Sequence, residues 1–256
     1  QDVIMRVVVG IPARMGSSRF PGKPLCDIAG KTMIEHCYIR CAISKYTTSL
    51  FVATCDDEIK NEVESFGGEV IMTDPNIQRP GLRVAEAAES LGLDDDDIVV
   101  VVQGDEPMVH PDMIDLAIQP LLDDESIFVS NLVKELTVDE WRDPGEIKVV
   151  CDLNMNAMYF SRAPIPSIDH QEKPAKVWKQ VCIMPFRWHF MKKFNHQLKP
   201  TPLELQESIE MIRAIQHGYK VRMVPSPYIS KSVDTETDRI AVEKLMLQDS
   251  LFNQYD

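Results

Sequence analysis

MRVVVGIPARMGSSRFPGKPL, residues 5–25, sets the reading of the whole chain. Its opening, residues 5–11, is a short β-branched run of the kind found in a strand buried on both faces. Pro12 breaks that run, and a stretch rich in Gly, Ser and Pro follows until a helical pattern takes over from residue 33 to 43. Strand, glycine-bearing turn and helix together make the start of a βαβ unit. The turn lies beyond the strand's C-terminal end, where an open α/β sheet presents its ligand crevice. Gly16 and Gly22, beside Ser17 and Ser18, allow backbone N–H groups to turn toward an anion. Three cations, Arg14, Arg19 and Lys23, and no acid fall between residues 11 and 23. The stretch therefore predicts a loop that cradles a nucleoside triphosphate, against the plainer reading of a surface loop with ordinary charges. Pro24 follows Lys23 and so excludes the G-x-x-x-x-G-K-[ST] phosphate loop, and the glycine spacing also lacks G-x-G-x-x-G.

Outward from this stretch, residues 49–54 read as a second strand, 56–66 as a helix stopped by Gly67-Gly68, and 69–73 as a third strand. Residues 84–91 read as a helix, and 97–103 (DIVVVVQ) is the most strand-like run in the chain. This alternation implies a doubly wound, mostly parallel sheet. The rhythm changes after about residue 125. Runs 127–132, 147–151, 157–161 and 178–186 are strand-like without full crossover helices, 201–217 has helical periodicity, and 221–224 and 235–248 read as a last strand and helix. One domain over residues 1–256 is expected, with a mixed or antiparallel insertion at about 125–200 and a return to the parent sheet near 221–248.

Of the 256 residues, 27 are Lys or Arg and 40 are Asp or Glu, for a net charge of −13. That surplus of acids argues against a nucleic-acid backbone and an anionic membrane as partners, since both require an excess of cations. No apolar run approaches the roughly 20 residues needed to span a bilayer, and no signal-peptide pattern is visible from Gln1 onward. Cys26, Cys37, Cys41, Cys55, Cys151 and Cys182 form no C-x-x-C pair, so reduced thiols in a cytoplasmic protein are the expectation.

Two further segments carry chemistry. In VVVVQGDEPM, residues 99–108, an apolar strand ends in Gln103-Gly104-Asp105-Glu106, which puts a carboxylate on the same sheet edge as the first loop. Mg²⁺ favours one or two carboxylates completed by phosphate oxygens and water, so Asp105 suits it; a polar turn closing the strand fits equally well. In Ser232-Val233-Asp234-Thr235, Asp234 stands where a helix N-cap would, and the cap is the simpler reading from spacing.

Taken together these segments resemble the 3-deoxy-manno-octulosonate cytidylyltransferase family. The resemblance rests on IPARMGSSRFPGKPL (11–25), QGDEPM (103–108), KVV (148–150), YFSRAPIP (159–166), PLE (202–204) and VDT (233–235), which stand in the family's order over nearly the whole chain. The first motif alone also fits acylneuraminate cytidylyltransferases. The resemblance implies a nucleotide-diphospho-sugar transferase-like fold with a dimerisation insertion, a homodimer, CTP as donor, Mg²⁺ as cofactor and an acidic sugar as acceptor. By the same resemblance, Ile11, Pro12, Ala13, Arg14, Gly16, Ser17, Arg19, Lys23, Arg83 and Gln103 bind the nucleotide. Gln103, Arg162, Gln180, Glu207 and Glu210 bind the acceptor, Asp105 and Asp234 hold the metal, and Arg14, Lys23 and Asp105 serve catalysis.

The acceptor half departs from the family. Its Gly-Thr-Asp/Glu-Arg segment reads Pro80-Gly81-Leu82-Arg83 here, its His-Leu-Gly-x-Tyr run reads Gln180-Val181-Cys182-Ile183-Met184, and its Leu-Glu-Gln-Leu-Arg helix reads Ile209-Glu210-Met211-Ile212-Arg213. Each change removes or replaces a hydrogen-bonding group, and such groups dominate discrimination among polyhydroxy acids. The expected acceptor is therefore a 3-deoxy-octulosonate-like sugar acid or a variant, with Arg83, Arg162 and Lys179 as candidate acceptor charges or else structural ion pairs. A different small acid such as a phosphonate, a different nucleoside triphosphate, and a nucleotide-binding scaffold without turnover are the alternatives.

Overall fold

A computed structural model describes residues 4–170, 175–229 and 231–256. In chain order its first half holds β1 (Val7–Pro12), β2 (Asp27–Ile28), β3 (Lys31–Thr32), α1 (Met33–Ile43), β4 (Ser49–Thr54) and α2 (Asp57–Ser65). These are followed by β5 (Val70–Met72), α3 (Pro80–Glu89), β6 (Ile98–Val102) and α4 (Pro111–Asp123). The second half begins with β7 (Ser130–Glu135), α5 (Val138–Arg142), β8 (Lys148–Cys151), β9 (Ala157–Ser161), β10 (Trp178–Gln180) and β11 (Ile183–Arg187). It ends with α6 (Trp188–His196), α7 (Pro202–Glu207), α8 (Ile212–Gln216), β12 (Arg222–Pro225), α9 (Glu236–Met246) and α10 (Phe252–Tyr255).

The opening strand β1 lies at the centre of a sheet ordered β11-β6-β1-β4-β5, in which β6, β1, β4 and β5 are parallel and β11 runs antiparallel along β6. Helices cover both faces, which explains why β1 and β6 are apolar without alternation. Val7, Val9 and Ile11 pack with α1, α2 and α4, whereas Val8 points to the opposite core with α3 and α6. The sheet is thus doubly wound, as expected. Gly10 has a packing reason: a Cβ there would fall 2.5 Å from Val84 Cγ1 and 2.9 Å from the Phe51 ring, so α3 sits against bare backbone.

A second sheet, ordered β12-β7-β10-β8-β9, is antiparallel except for the β12–β7 pair. It joins the first through the Val129–Phe186 bridge and through Asn131, whose buried amide donates to the Val181 carbonyl at 2.7 Å. Several elements differ from the sequence expectation. The run 178–186 is two strands in two sheets, because a tight turn (Ile183 N to Val181 O, 2.7 Å) redirects the chain between them. The periodic stretch 201–217 breaks at Ser208, whose φ of +55° ends α7. Strand β12 pairs with β7 rather than with the first sheet. Helices α4 and α6 are not foreseen by the pattern reading; α4 carries Pro111 at its start and Pro120 within.

A third, smaller core of Ile28, Met33, Val233, Val242, Met246 and Phe252 fastens the β2–β3 hairpin and α1 to α9 and α10. Beside it lies a polar network. His36 donates from Nε2 to the Ile28 carbonyl at 2.7 Å, so its Nδ1 accepts from the Tyr255 hydroxyl at 2.8 Å. The buried Arg40 donates to the same hydroxyl and to Asp249. Among the described residues no helix is long and apolar enough to cross a membrane, and all six cysteines are free.

Candidate active site

The loop after β1 is a closed structure. Gly22, at φ +71°, turns the chain so that its N–H reaches the Met15 carbonyl at 3.0 Å. Such a φ costs glycine little and other residues more. Asp56 accepts the Met15 N–H at 2.7 Å, and Ser17 Oγ accepts the Phe20 N–H at 3.3 Å. A single turn of 3₁₀ helix, Lys23–Leu25, then aims Lys23 inward.

This loop forms one wall of a cleft of about 430 Å³, lined by Pro12, Ala13, Arg14, Gly16, Ser17, Ser18, Arg19, Lys23, Pro24, Met33, Gln78, Pro80, Arg83, Gln103, Gly104 and Asp105. Of the residues expected at the nucleotide, all but Ile11 line it; Ile11 is fully buried beneath, in β1. Sequence reasoning passed over Gln78 and Met33. Gln78 stands just before α3 and accepts from Arg14 Nη1 at 3.0 Å, and nothing in its local sequence marks it.

The two expected metal ligands converge. The backbone joins their segments, Val233 N to Asp105 O at 2.8 Å. Lys23 Nζ lies 3.5 Å and Arg19 Nη2 3.7 Å from Asp234 Oδ1. Burial pushes the Asp105 carboxyl above its usual range, and the nearby Asp234 carboxylate adds to this while Lys23 opposes it. The N-cap of α9 is Thr235, reciprocated by Asp238 in a capping box, so Asp234 is not the cap that spacing favoured. Its carboxylate faces the cations instead. Among the described residues no cluster of three or more His, Cys, Asp or Glu encloses a cation. A pair of carboxylates beside a cleft lined by Arg14, Arg19 and Lys23 fits Mg²⁺, which takes one or two carboxylates and fills its remaining positions with phosphate oxygens and water.

The remaining expected residues are placed differently. Arg83 lines the cleft, yet its guanidinium is used within the fold, donating to Thr73 Oγ1 and, at 2.7 Å, to the Ile77 carbonyl. Arg162 and Glu207 bind each other: Glu207 accepts from the Arg162 N–H and the Ser161 hydroxyl at 2.8 Å each, and Arg162 Nε donates to the Glu207 carbonyl at 2.8 Å. Gln180 donates to Asn131 Oδ1 at 2.6 Å. Lys179 is nearly buried between Glu140 and Glu146, at 2.6 and 3.4 Å. Of the acceptor group, Gln103 lines the cleft and Glu210 stands near its rim. Glu210 accepts from Arg79 Nη1 at 2.8 Å, beside Gln78 and Pro80. Burial raises its carboxyl, against the pull of the Arg79 and Arg213 guanidiniums.

Comparison with known proteins agrees with this arrangement. The sequence profile of the cytidylyltransferase family matches residues 8–223. The chain is 43% identical over 237 residues to the 8-amino-3,8-dideoxy-manno-octulosonate cytidylyltransferase of Shewanella woodyi, covering 91% of this chain and 96% of that one. It is 40% identical over 243 residues to the 3-deoxy-manno-octulosonate cytidylyltransferase of Syntrophus aciditrophicus, covering 94% and 98%. A solved structure of CMP:2-keto-3-deoxy-manno-octonic acid synthetase complexed with CTP superposes with a TM-score of 0.89 at 35% identity, covering 95% of this chain and 99% of that one. With the loop, the carboxylate pair and the doubly wound sheet in place, the chain belongs to the cytidylyltransferase family and is a nucleotidyltransferase enzyme.

Proposed function

We propose that this enzyme transfers CMP from CTP to a hydroxyl of a 3-deoxy-octulosonate-like sugar acid and releases pyrophosphate. The observation that carries the reading is the cleft in which the cationic loop meets Asp105, with Asp234 at its side paired to Lys23 and Arg19. The acceptor oxygen forms a bond to the α-phosphorus, and the bond from that phosphorus to the bridging oxygen of the leaving pyrophosphate breaks. Charge spreads over the phosphate oxygens, so the protein's contribution is positioning and electrostatic stabilisation. Arg14 presents a fork and Lys23 a point charge to the phosphate chain, with Arg19 at the mouth. Gln103 and the neighbouring backbone orient base, ribose or acceptor. Held by Asp105 and Asp234, Mg²⁺ would neutralise phosphate charge and ease loss of the acceptor hydroxyl proton.

On the acceptor side the polar partners differ from those of the resembled family, while Glu210 and Arg79 remain at the rim. A sugar acid with the 3-deoxy-octulosonate core, including its 8-amino form, is the acceptor class this reading names. Six free thiols support a reducing, cytoplasmic setting. The exposed Leu153, in the turn before the edge strand β9, and the exposed Met158, within that strand, support a homodimer.

The test is thermal stabilisation by CTP, UTP, GTP and ATP, each with Mg²⁺, because a ligand that binds only the folded state raises the melting temperature. CTP is expected to stabilise most. A preference for another triphosphate would move the reading to a different donor.

A further inference from the structure

Asp105 lines the cleft and Asp234 stands beside it on a different segment, against Lys23, and their approach depends on what ties those segments together. The first segment runs from the end of β6 through residues 103–109 into α4; the second leaves β12 and enters α9. Inside the site they share the Val233–Asp105 backbone bond. A second tie lies outside the cleft, where α4 begins. Tyr228 lays its ring on the imidazole of His110, centroids 4.3 Å apart and planes 11° from parallel, and its hydroxyl donates to Asp112 Oδ2.

Both halves of this clasp are themselves anchored. His110 is the N-cap of α4, its Nδ1 accepting the Asp112 backbone N–H at 3.1 Å. On the other side, the Tyr228 N–H donates to Ser226 Oγ at 3.2 Å, and the Ser226 N–H to the Val133 carbonyl at 2.8 Å. On the chain around Asp234, the Thr235–Asp238 cap follows it directly and the Tyr228 contacts lie six positions before it. Neither His110, Asp112 nor Tyr228 lines the cleft.

We propose that Tyr228, seated on His110 and Asp112, is a positioning residue that holds Asp234 opposite Asp105 in the geometry needed for a divalent cation. The proposal rests on the carboxylate pair as the metal site. Freed at Tyr228, the segment would sample more conformations, and ordering it on binding would cost affinity for the cation rather than for the nucleotide.

Mn²⁺ titration in the presence of CTP, followed by the free-ion electron paramagnetic resonance signal, tests this without turnover. Loss of the stack and the hydroxyl in Tyr228→Ala raises the Mn²⁺ dissociation constant by about five- to tenfold. The half-saturating Mg²⁺ for pyrophosphate release rises in parallel, and the KM for CTP at saturating metal stays within about twofold. Tyr228→Phe, which keeps the stack, and Asp112→Ala, which removes only an exposed acceptor, fall between wild type and Tyr228→Ala. A merely structural role would lower the melting temperature and leave Mn²⁺ binding unchanged in every variant that folds. Wild-type Mn²⁺ affinity in Tyr228→Ala and Asp112→Ala overturns the proposal. Absence of wild-type turnover, with Mn²⁺ binding still weakened in the variants, would count against the functional reading and leave the clasp standing.

Discussion

Replacing Asp105 by Asn separates the two electrostatic duties of the cleft. Asp105 and Asp234 set two negative charges beside Lys23 and Arg19 where a polyanion is proposed to bind. On the proposed reading those carboxylates repel the triphosphate when no divalent cation is present and recruit it when one is. The cleft holds about 430 Å³, which as a cube is about 7.5 Å across. One unit charge acting over ~7.5 Å at an effective dielectric of ~20 is worth about 2 kcal/mol. Screening by salt and the open mouth reduce this to about 1 kcal/mol, or about fivefold in affinity. Asp105→Asn is therefore expected to bind metal-free CTP about fivefold more tightly than wild type. Its Mg²⁺-supported turnover falls by at least about 100-fold, since transition-state charge stabilisation of that order is lost. Burial opposes the Asp105 charge, so the metal-free variant melts no lower than wild type. Calorimetric titration with CTP in a chelator, a pyrophosphate-release assay and a melting curve cover the three readouts. Weaker metal-free CTP binding together with retained turnover would refute the reasoning.

Three further outcomes follow from the packing. Gly10→Ala forces a methyl into the Val84 and Phe51 side chains and should cost about 1–3 kcal/mol, read as a melting temperature lower by roughly 2–10 °C. Lys148→Met removes a buried ammonium that donates to the carbonyls of Asp143, Glu146 and Arg162 at 2.7, 2.7 and 2.6 Å, and three unpaired acceptors should cost about 3 kcal/mol in urea unfolding. Burial, with Arg40 and Lys31 nearby, holds the His36 imidazole below its ordinary range, although the Ile28 hydrogen bond and Asp27 pull the other way. The unfolded chain takes the proton more readily than the folded one, so this contribution is complete above about pH 6.5 and fades as pH falls through the depressed value. His36→Gln should flatten that part of the stability–pH curve, which chemical denaturation between pH 5 and 8 would reveal as a difference of slope.

The nucleotide half of the molecule is legible in the sequence because its signals are local. The β-branched runs of β1 and β6 need no partner to be recognised, and the cations of the first loop are close together in the chain. Asp105 stands out at the end of an apolar strand, but its pairing with Asp234 is recognisable only through the resemblance, because the two lie 129 positions apart and spacing alone makes Asp234 a cap. The structure shows the reason: the side chain of Thr235, one residue later, takes the cap and frees its neighbour. Helix α4 is hidden by prolines at its start and in its interior, and the β10–β11 sheet switch by an apolar pattern that continues through the turn. Arg83, Arg162, Gln180 and Glu207 look like free polar groups in sequence, but the fold uses each one internally. No one-dimensional pattern reports that a guanidinium already has partners. The Tyr228 clasp is invisible for the same reason, since its members are 116 and 118 residues apart.

The most direct test of the central claim is product analysis with purified enzyme, Mg²⁺, CTP and either 3-deoxy-manno-octulosonate or its 8-amino analogue. The account predicts equimolar pyrophosphate and a CMP-linked sugar acid with at least one of the two acceptors, dependent on both CTP and Mg²⁺. Folded enzyme that binds CTP yet forms no CMP adduct with either acceptor would contradict it.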